Sequence, residues 1–161
     1  MCKQFIYILL LSMPDRIIIA GCYVYDKKNK KILTVCNHEY SNYSAPKGHL
    51  ENGEEIIDCA MRELHEETGM AMKDIIKYKK EMLTNPVRKY RINDNMYTFY
   101  QFNIDDGSLL YANLKPIDTG EIGHVQWLDY KKLNELRFVC NKTLVNKTNK
   151  NICACIAEVI G

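Results

Sequence analysis

The stretch GHLENGEEIIDCAMRELHEETGM, residues 48–70, decides how the rest of the chain is read. From Glu54 onward its apolar residues Ile56, Ile57, Ala60, Met61 and Leu64 recur at helical spacing. Gly53 precedes the run, and Gly69 follows it as a stop suited to the left-handed conformation. The spacing predicts a helix of roughly four turns with one buried stripe. Glu63, Glu66 and Glu67 stand at i, i+3 and i+4 and share a second face. Like charges at that spacing destabilise an isolated helix. A cation seated on the face accounts for them, and hard divalent cations take carboxylate oxygens together with substrate phosphates. A merely solvated acidic face is the competing reading.

The surrounding composition is that of an ordinary globular domain. The chain has 161 residues, 47% hydrophobic and 26% charged, with a formal net charge of +2. We read a single domain over residues 1–161, long enough for a sizeable core. Near-neutral charge gives no general argument for a polyanionic partner. Its distribution says more, because the acidic run lies in a mildly basic frame: KKNKK at 27–31, RKYR at 88–91, and Lys142, Lys147 and Lys150. The seven cysteines are odd in number and irregularly spaced, with no CxxC pair. This predicts reduced thiols and a cytoplasmic setting rather than a disulfide framework or a zinc site. The apolar run FIYILLLS at 5–12 is too short for a membrane span and reads as an N-terminal extension over 1–14.

RIIIAGCYVYD (16–26) and ILTVCNH (32–38) read as strands joined by the lysine-rich turn. IIKYKKEMLT (75–84) is expected to be a strand. RKYRI (88–92) and MYTFYQFNI (96–104) flank NDN as a hairpin, and HVQWLDY (124–130) is a further short strand. Helices are expected from 130 and over 149–160. The element order predicts an α+β fold, an α/β/α sandwich.

The acidic stretch resembles the Nudix box, G-x5-E-x7-R-E-U-x-E-E-x-G-U, where U is a large apolar residue. Gly48, Glu54, Arg62, Glu63, Glu66, Glu67 and Gly69 occupy the fixed positions, and Leu64 and Met70 the apolar ones. The resemblance implies a Nudix-type sandwich, a mixed sheet between helices with the box as loop-helix-loop. It implies a hydrolase of nucleoside diphosphates linked to another moiety, dependent on Mg²⁺ or Mn²⁺. By the same resemblance Glu63, Glu66 and Glu67 become metal ligands, with the Gly48 carbonyl a further one. Arg62 would hold the helix face in shape by pairing with Glu54 or Glu66. Glu51, Glu55 and Asp58 read as solvated charges.

Attack on a pyrophosphate sets anion against anion, so a metal must screen the oxygens and a carboxylate must accept a proton from water. Glu63 and Glu67 are candidates for that base. Glu121 is a third, because Glu121 and Trp127 reproduce an E-x5-W spacing similar to that of dinucleoside-polyphosphate hydrolases and messenger-RNA decapping enzymes. PKGHLENGE resembles the entry loop of the same subfamilies and places Lys47 against a phosphate. Arg88, Lys89 and Arg91 are candidate polyphosphate contacts, and Tyr100 is a candidate for stacking a base. The expected substrate is a dinucleoside polyphosphate or related nucleotide. The alternatives are an mRNA cap or diphosphoinositol polyphosphate, or binding without catalysis. The length leaves little room for a separate RNA-binding part, which favours free nucleotides, with RNA a partner only under the decapping alternative. No membrane partner is expected.

Overall fold

The computed structural model describes residues 16–38, 43–92, 94–107 and 111–129. The expected N-terminal extension and the two helices beyond residue 129 lie outside these residues. Ile18–Asp26 forms β1 and Lys31–Cys36 forms β2. Tyr43–Ser44 and Lys47–His49 are the short strands β3 and β4. Ile56–Thr68 is helix α1. Arg88–Ile92, Asn95–Ile104 and His124–Asp129 are β5, β6 and β7.

The strands make one mixed sheet in the order β3-β2-β1-β6-β5, with β4 also on β1 and β7 also on β2. β1 runs parallel to β6 from Ile18 opposite Met96 to Asp26 opposite Ile104. A strand has two edges, so the other edge of β1 is shared. Its end pairs with β2, at Tyr25–Ile32 and Asp26–Lys31, and its start pairs with β4, at Ile19–His49 through Gly21–Lys47. β2 gives one edge to β7 along Lys31–Cys36. At its far end it pairs with β3 through Val35–Ser44 and Cys36–Tyr43. The hairpin strands therefore diverge, and residues 43–49 enter the split between them. Gly21 permits this close approach, since a Cβ there would lie 2.5 Å from the Pro46 carbonyl oxygen, which accepts the Cys22 N–H at 3.1 Å. Lys47 and Gly48 are thereby set into the middle of the sheet.

β1 is buried on both faces, as suits a strand flanked by parallel and antiparallel partners. Ala20, Cys22 and Val24 face α1, meeting Ile57, Ala60, Met61 and Leu64. Ile19, Tyr23 and Tyr25 face the other way, where Tyr23 stacks on Phe99 at 4.8 Å. Leu64 is fully buried, and cutting such a side chain to alanine costs about 2–5 kcal/mol. α1 ends as the sequence predicts. Gly69 takes φ 74° and donates its N–H to the His65 carbonyl at 2.8 Å. The helix opens two residues later than Glu54, with Glu55 extended as its cap.

The predicted strand over 75–84 is corrected to helix. Met72–Ile75 forms α2, Ile76–Tyr78 is a 3-10 turn, and Lys79–Thr84 forms α3. Buried Ile75 and Met82, with half-buried Tyr78 between them, recur every three or four residues, while Ile76 and Leu83 are exposed. That is a helical period carried by lysines that favour helix. Asn85 and Pro86 close the segment. No described helix is long and apolar enough to cross a membrane.

Candidate active site

The side chains of the acidic helix are organised first by Arg62. Its Nε and Nη2 donate to the two oxygens of Glu54, at 2.9 and 3.1 Å. Nη1 donates to Glu63 at 2.6 Å and to Glu66 at 3.0 Å. Nη2 also donates to the His49 carbonyl at 2.9 Å, which ties the helix to the end of β4. The Arg62 hydrogen bond holds the Glu54 carboxyl below its ordinary pKa, and Glu54 in turn pushes the guanidinium pKa further up. Glu54 also accepts the Glu51 N–H at 3.1 Å, closing the loop before the helix.

Glu63 and Glu67 feel the opposite effect. Burial raises the Glu63 pKa despite its bond to Arg62. Glu67 is pushed up to about 7, chiefly by burial. Lys47 opposes the rise through its charge and through its backbone N–H, which donates to Glu67 at 2.8 Å, while Glu63 and Glu121 add to it. Gly48 is the reason Glu63 fits, because a Cβ at Gly48 would overlap the Glu63 carboxylate. Cys59 lies beneath, its Sγ 3.7 Å from the Gly48 carbonyl oxygen. Burial pushes its thiol up to about 12, so it remains neutral.

These groups line a cavity of about 470 Å³. Its carboxylates are Glu51, Glu63, Glu66, Glu67, Asp118 and Glu121, and its cations are Lys47 and Arg62. The loop carrying Glu121 is tied down on both sides. The Glu66 carbonyl accepts the Ile117 N–H at 2.7 Å, and the Gly123 N–H donates to Cys36 at 2.9 Å. A Cβ at Gly69 would strike the Lys115 carbonyl, so the glycine that stops the helix also seats this loop. Glu121 itself makes no hydrogen bond or ion pair to the described residues, and it is exposed at the cavity.

The structure thus brings Lys47, Gly48, Arg62, Glu63, Glu66, Glu67 and Glu121 to one cavity. It does not bring Arg88, Lys89, Arg91 or Tyr100 there. The first three lie on β5, beyond β6 at the sheet edge, where Arg91 stands 4.0 Å from Asp94. Tyr100 packs against the core on the α1 side of the sheet. Their sequence positions beside a hairpin turn carry no information on which edge of the sheet the hairpin occupies. Trp127 packs on the same core, its Nε1–H donating to the Tyr111 carbonyl at 3.3 Å. Asp58 pairs with Lys79 at 2.6 Å. Asp118, His49 and Glu51 line the cavity without having been singled out from sequence. Asp118, three residues before Glu121, was detectable as a second acid in the same short loop.

A hard divalent cation fits this donor set. The donors are carboxylate and carbonyl oxygens, and Glu67 is a buried acid among acids whose charge Lys47 offsets only in part. Among the described residues no three His, Cys, Asp or Glu side chains already converge as a closed ligand set. Glu63 and Glu66 are instead turned onto Arg62.

Residues 15–146 match the family model described as NUDIX domain. The chain is 28% identical over 123 residues to the m7GpppN-mRNA hydrolase of Saccharomyces cerevisiae, covering 76% of this chain and 12% of that protein. It therefore spans only a small part of that relative's length. It is 28% identical over 145 residues to an RNA pyrophosphohydrolase of Bartonella henselae, covering 77% of this chain and 82% of that one. In structure it is similar to an Ap4A hydrolase of C. elegans, with a TM-score of 0.53 at 15% identity, over 86% of this chain and 98% of that one. That likeness shows the fold.

Proposed function

The chain belongs to the NUDIX family, and on that premise we propose that it is a divalent-metal-dependent pyrophosphohydrolase acting on the phosphoanhydride at an RNA 5′ end. The observation that carries the hydrolase reading is Glu67, a buried carboxyl pushed up to about 7 at the floor of an acidic cavity. Glu63, Glu66, Glu67 and the Gly48 carbonyl would hold Mg²⁺ or Mn²⁺. When bound, the metal would screen the phosphate oxygens and make water a better nucleophile.

The chain's own residues divide the remaining work. Arg62 keeps Glu63 and Glu66 at fixed spacing through its guanidinium. Lys47 offers its ammonium at the cavity wall, where a phosphate of the substrate would lie. Glu121 is a cavity carboxylate without a hydrogen bond or ion pair to the described residues, which suits a general base that accepts the proton of the attacking water.

RNA as substrate is supported by the chain's similarity to an m7GpppN-mRNA hydrolase and an RNA pyrophosphohydrolase. A second reading, a dinucleoside polyphosphate, is favoured by a different observation. The described cationic side chains at the cavity are Lys47 and Arg62, while RKYR lies across the sheet.

The test is a panel in Mg²⁺ of capped RNA, 5′-triphosphorylated RNA, diadenosine tetraphosphate and nucleoside triphosphates. Turnover of an RNA 5′ end with the highest kcat/KM supports the proposal. Preference for diadenosine tetraphosphate selects the second reading, and no turnover of any substrate overturns both.

A further inference from the structure

We propose that His38, at the exit of β2, is a positioning residue that holds the Glu121 loop over the cavity. The proposal rests on the reading of Glu121 as the base. Glu121 sits between two backbone anchors, Ile117 on the Glu66 carbonyl and Gly123 on the Cys36 carbonyl. Between them the backbone turns on itself, with the Gly120 N–H donating to the Asp118 carboxylate at 2.9 Å. Anchors six residues apart leave the crown of such a loop free to swing. His38 closes that gap. Its Nε2 lies 3.0 Å from the Thr119 carbonyl oxygen, two residues before Glu121. A carbonyl only accepts, so Nε2 carries the hydrogen.

The second side of the clamp is steric. A Cβ on Gly123 would lie 2.6 Å from the His38 Cα and 2.8 Å from its Nδ1. Gly123, two residues after Glu121, is therefore pressed against the same histidine. One residue thus restrains the loop on both sides of the carboxylate, by a hydrogen bond at 119 and by contact at 123. β2 supplies a rigid base, being paired along its length with β7 from Lys31–Asp129 to Cys36–His124. A general base must stay within hydrogen-bond reach of the proton it takes, and a displacement of about 1 Å can cost on the order of 100-fold in rate.

The experiment uses His38→Ala and His38→Gln in wild-type and Glu121→Gln backgrounds, with glutamine able to donate from a similar reach. Hydrogen exchange over 111–129 is measured without substrate or metal. Faster exchange in His38→Ala, restored in His38→Gln, supports the clamp; unchanged exchange overturns it. In turnover, His38→Ala should lower kcat by roughly 10- to 100-fold with KM little changed. His38→Gln should restore most of it. In the Glu121→Gln background His38→Ala should add nothing further. An equal additional loss there means His38 does not act through Glu121 and overturns the positioning role. Failure of the unmodified protein to hydrolyse any substrate would count against the function, while the exchange result still decides the clamp.

Discussion

The side chain that Gly48 lacks would occupy the space held by the Glu63 carboxylate. The pairing is between a residue in the split of the sheet and a residue on the helix above it. The first expectation follows. Gly48→Ala should leave the fold standing, with a stability loss of about 1–3 kcal/mol, but should turn Glu63 away from the cavity. Titration with Mn²⁺ and steady-state kinetics together check it. Wild-type metal affinity in the variant would show that Glu63 does not depend on this contact.

Glu67→Gln separates activity from stability. Removing a buried charge that the Lys47 N–H and ammonium offset only in part should stabilise the metal-free protein. The same change should lower kcat by about 1,000-fold, the scale of losing a stabiliser of transition-state charge. Thermal unfolding in EDTA and kcat in Mg²⁺ are the two readouts. A destabilised or fully active variant contradicts the expectation.

Arg62 hydrogen-bonds to three carboxylates at once, with that of Glu51 4.0 Å away. Arg62→Ala strands Glu54 and Glu63, both largely shielded from water, and should cost about 2–4 kcal/mol. Arg62→Lys keeps the charge but loses the two-pronged grip on Glu54, so it should recover only part of the loss. Urea denaturation of the pair decides this, and equal stability of the lysine variant and wild type would dismiss the fork geometry.

The pH dependence has a definite sign. Below 4.5, the ordinary value, Glu67 carries its proton folded or unfolded and costs nothing. Between 4.5 and about 7 the folded protein retains a proton that the unfolded chain has released. In that window metal-free stability should fall as pH rises, then level off. Glu63, also raised by burial, acts in the same sense. Glu54 acts oppositely, its depressed folded value making stability drop as pH falls below the ordinary carboxyl range. Denaturation series in EDTA should therefore show a maximum on the acid side of neutrality, and saturating Mg²⁺ should remove the decline toward pH 7. A flat profile in EDTA over pH 5–7 would speak against a buried, raised Glu67.

The acidic helix and its stop are legible in the sequence because period and glycine placement are local properties. So are both hairpin turns and the strand at His124–Asp129. The segment over 75–84 misleads because its two adjacent isoleucines look β-forming, whereas one is buried against the helix-side core and the other faces water. Glu63, Glu66 and Glu67 can be grouped from spacing alone. Lys47 and Glu121 reach them only through the split between β1 and β2 and through a loop anchored on Glu66, contacts set by sheet order. The same sheet order carries Arg88, Lys89 and Arg91 to the far edge, which nothing in their local sequence records.

The parallel pairing of β1 with β6 has a consequence for synthesis. Ribosomes deliver the chain from its N-terminus, so residues 48–70 emerge well before residues 95–104 and 117–123. A nascent chain then holds every acid of the motif but neither the strand that completes the centre of the sheet nor the loop that brings Glu121. Long-range pairing of this kind forms late and slowly. On the reading of Glu121 as the base, hydrolytic capacity would wait until the loop at 117–123 has left the ribosome, and a product terminated before it would carry the whole motif without a completed site.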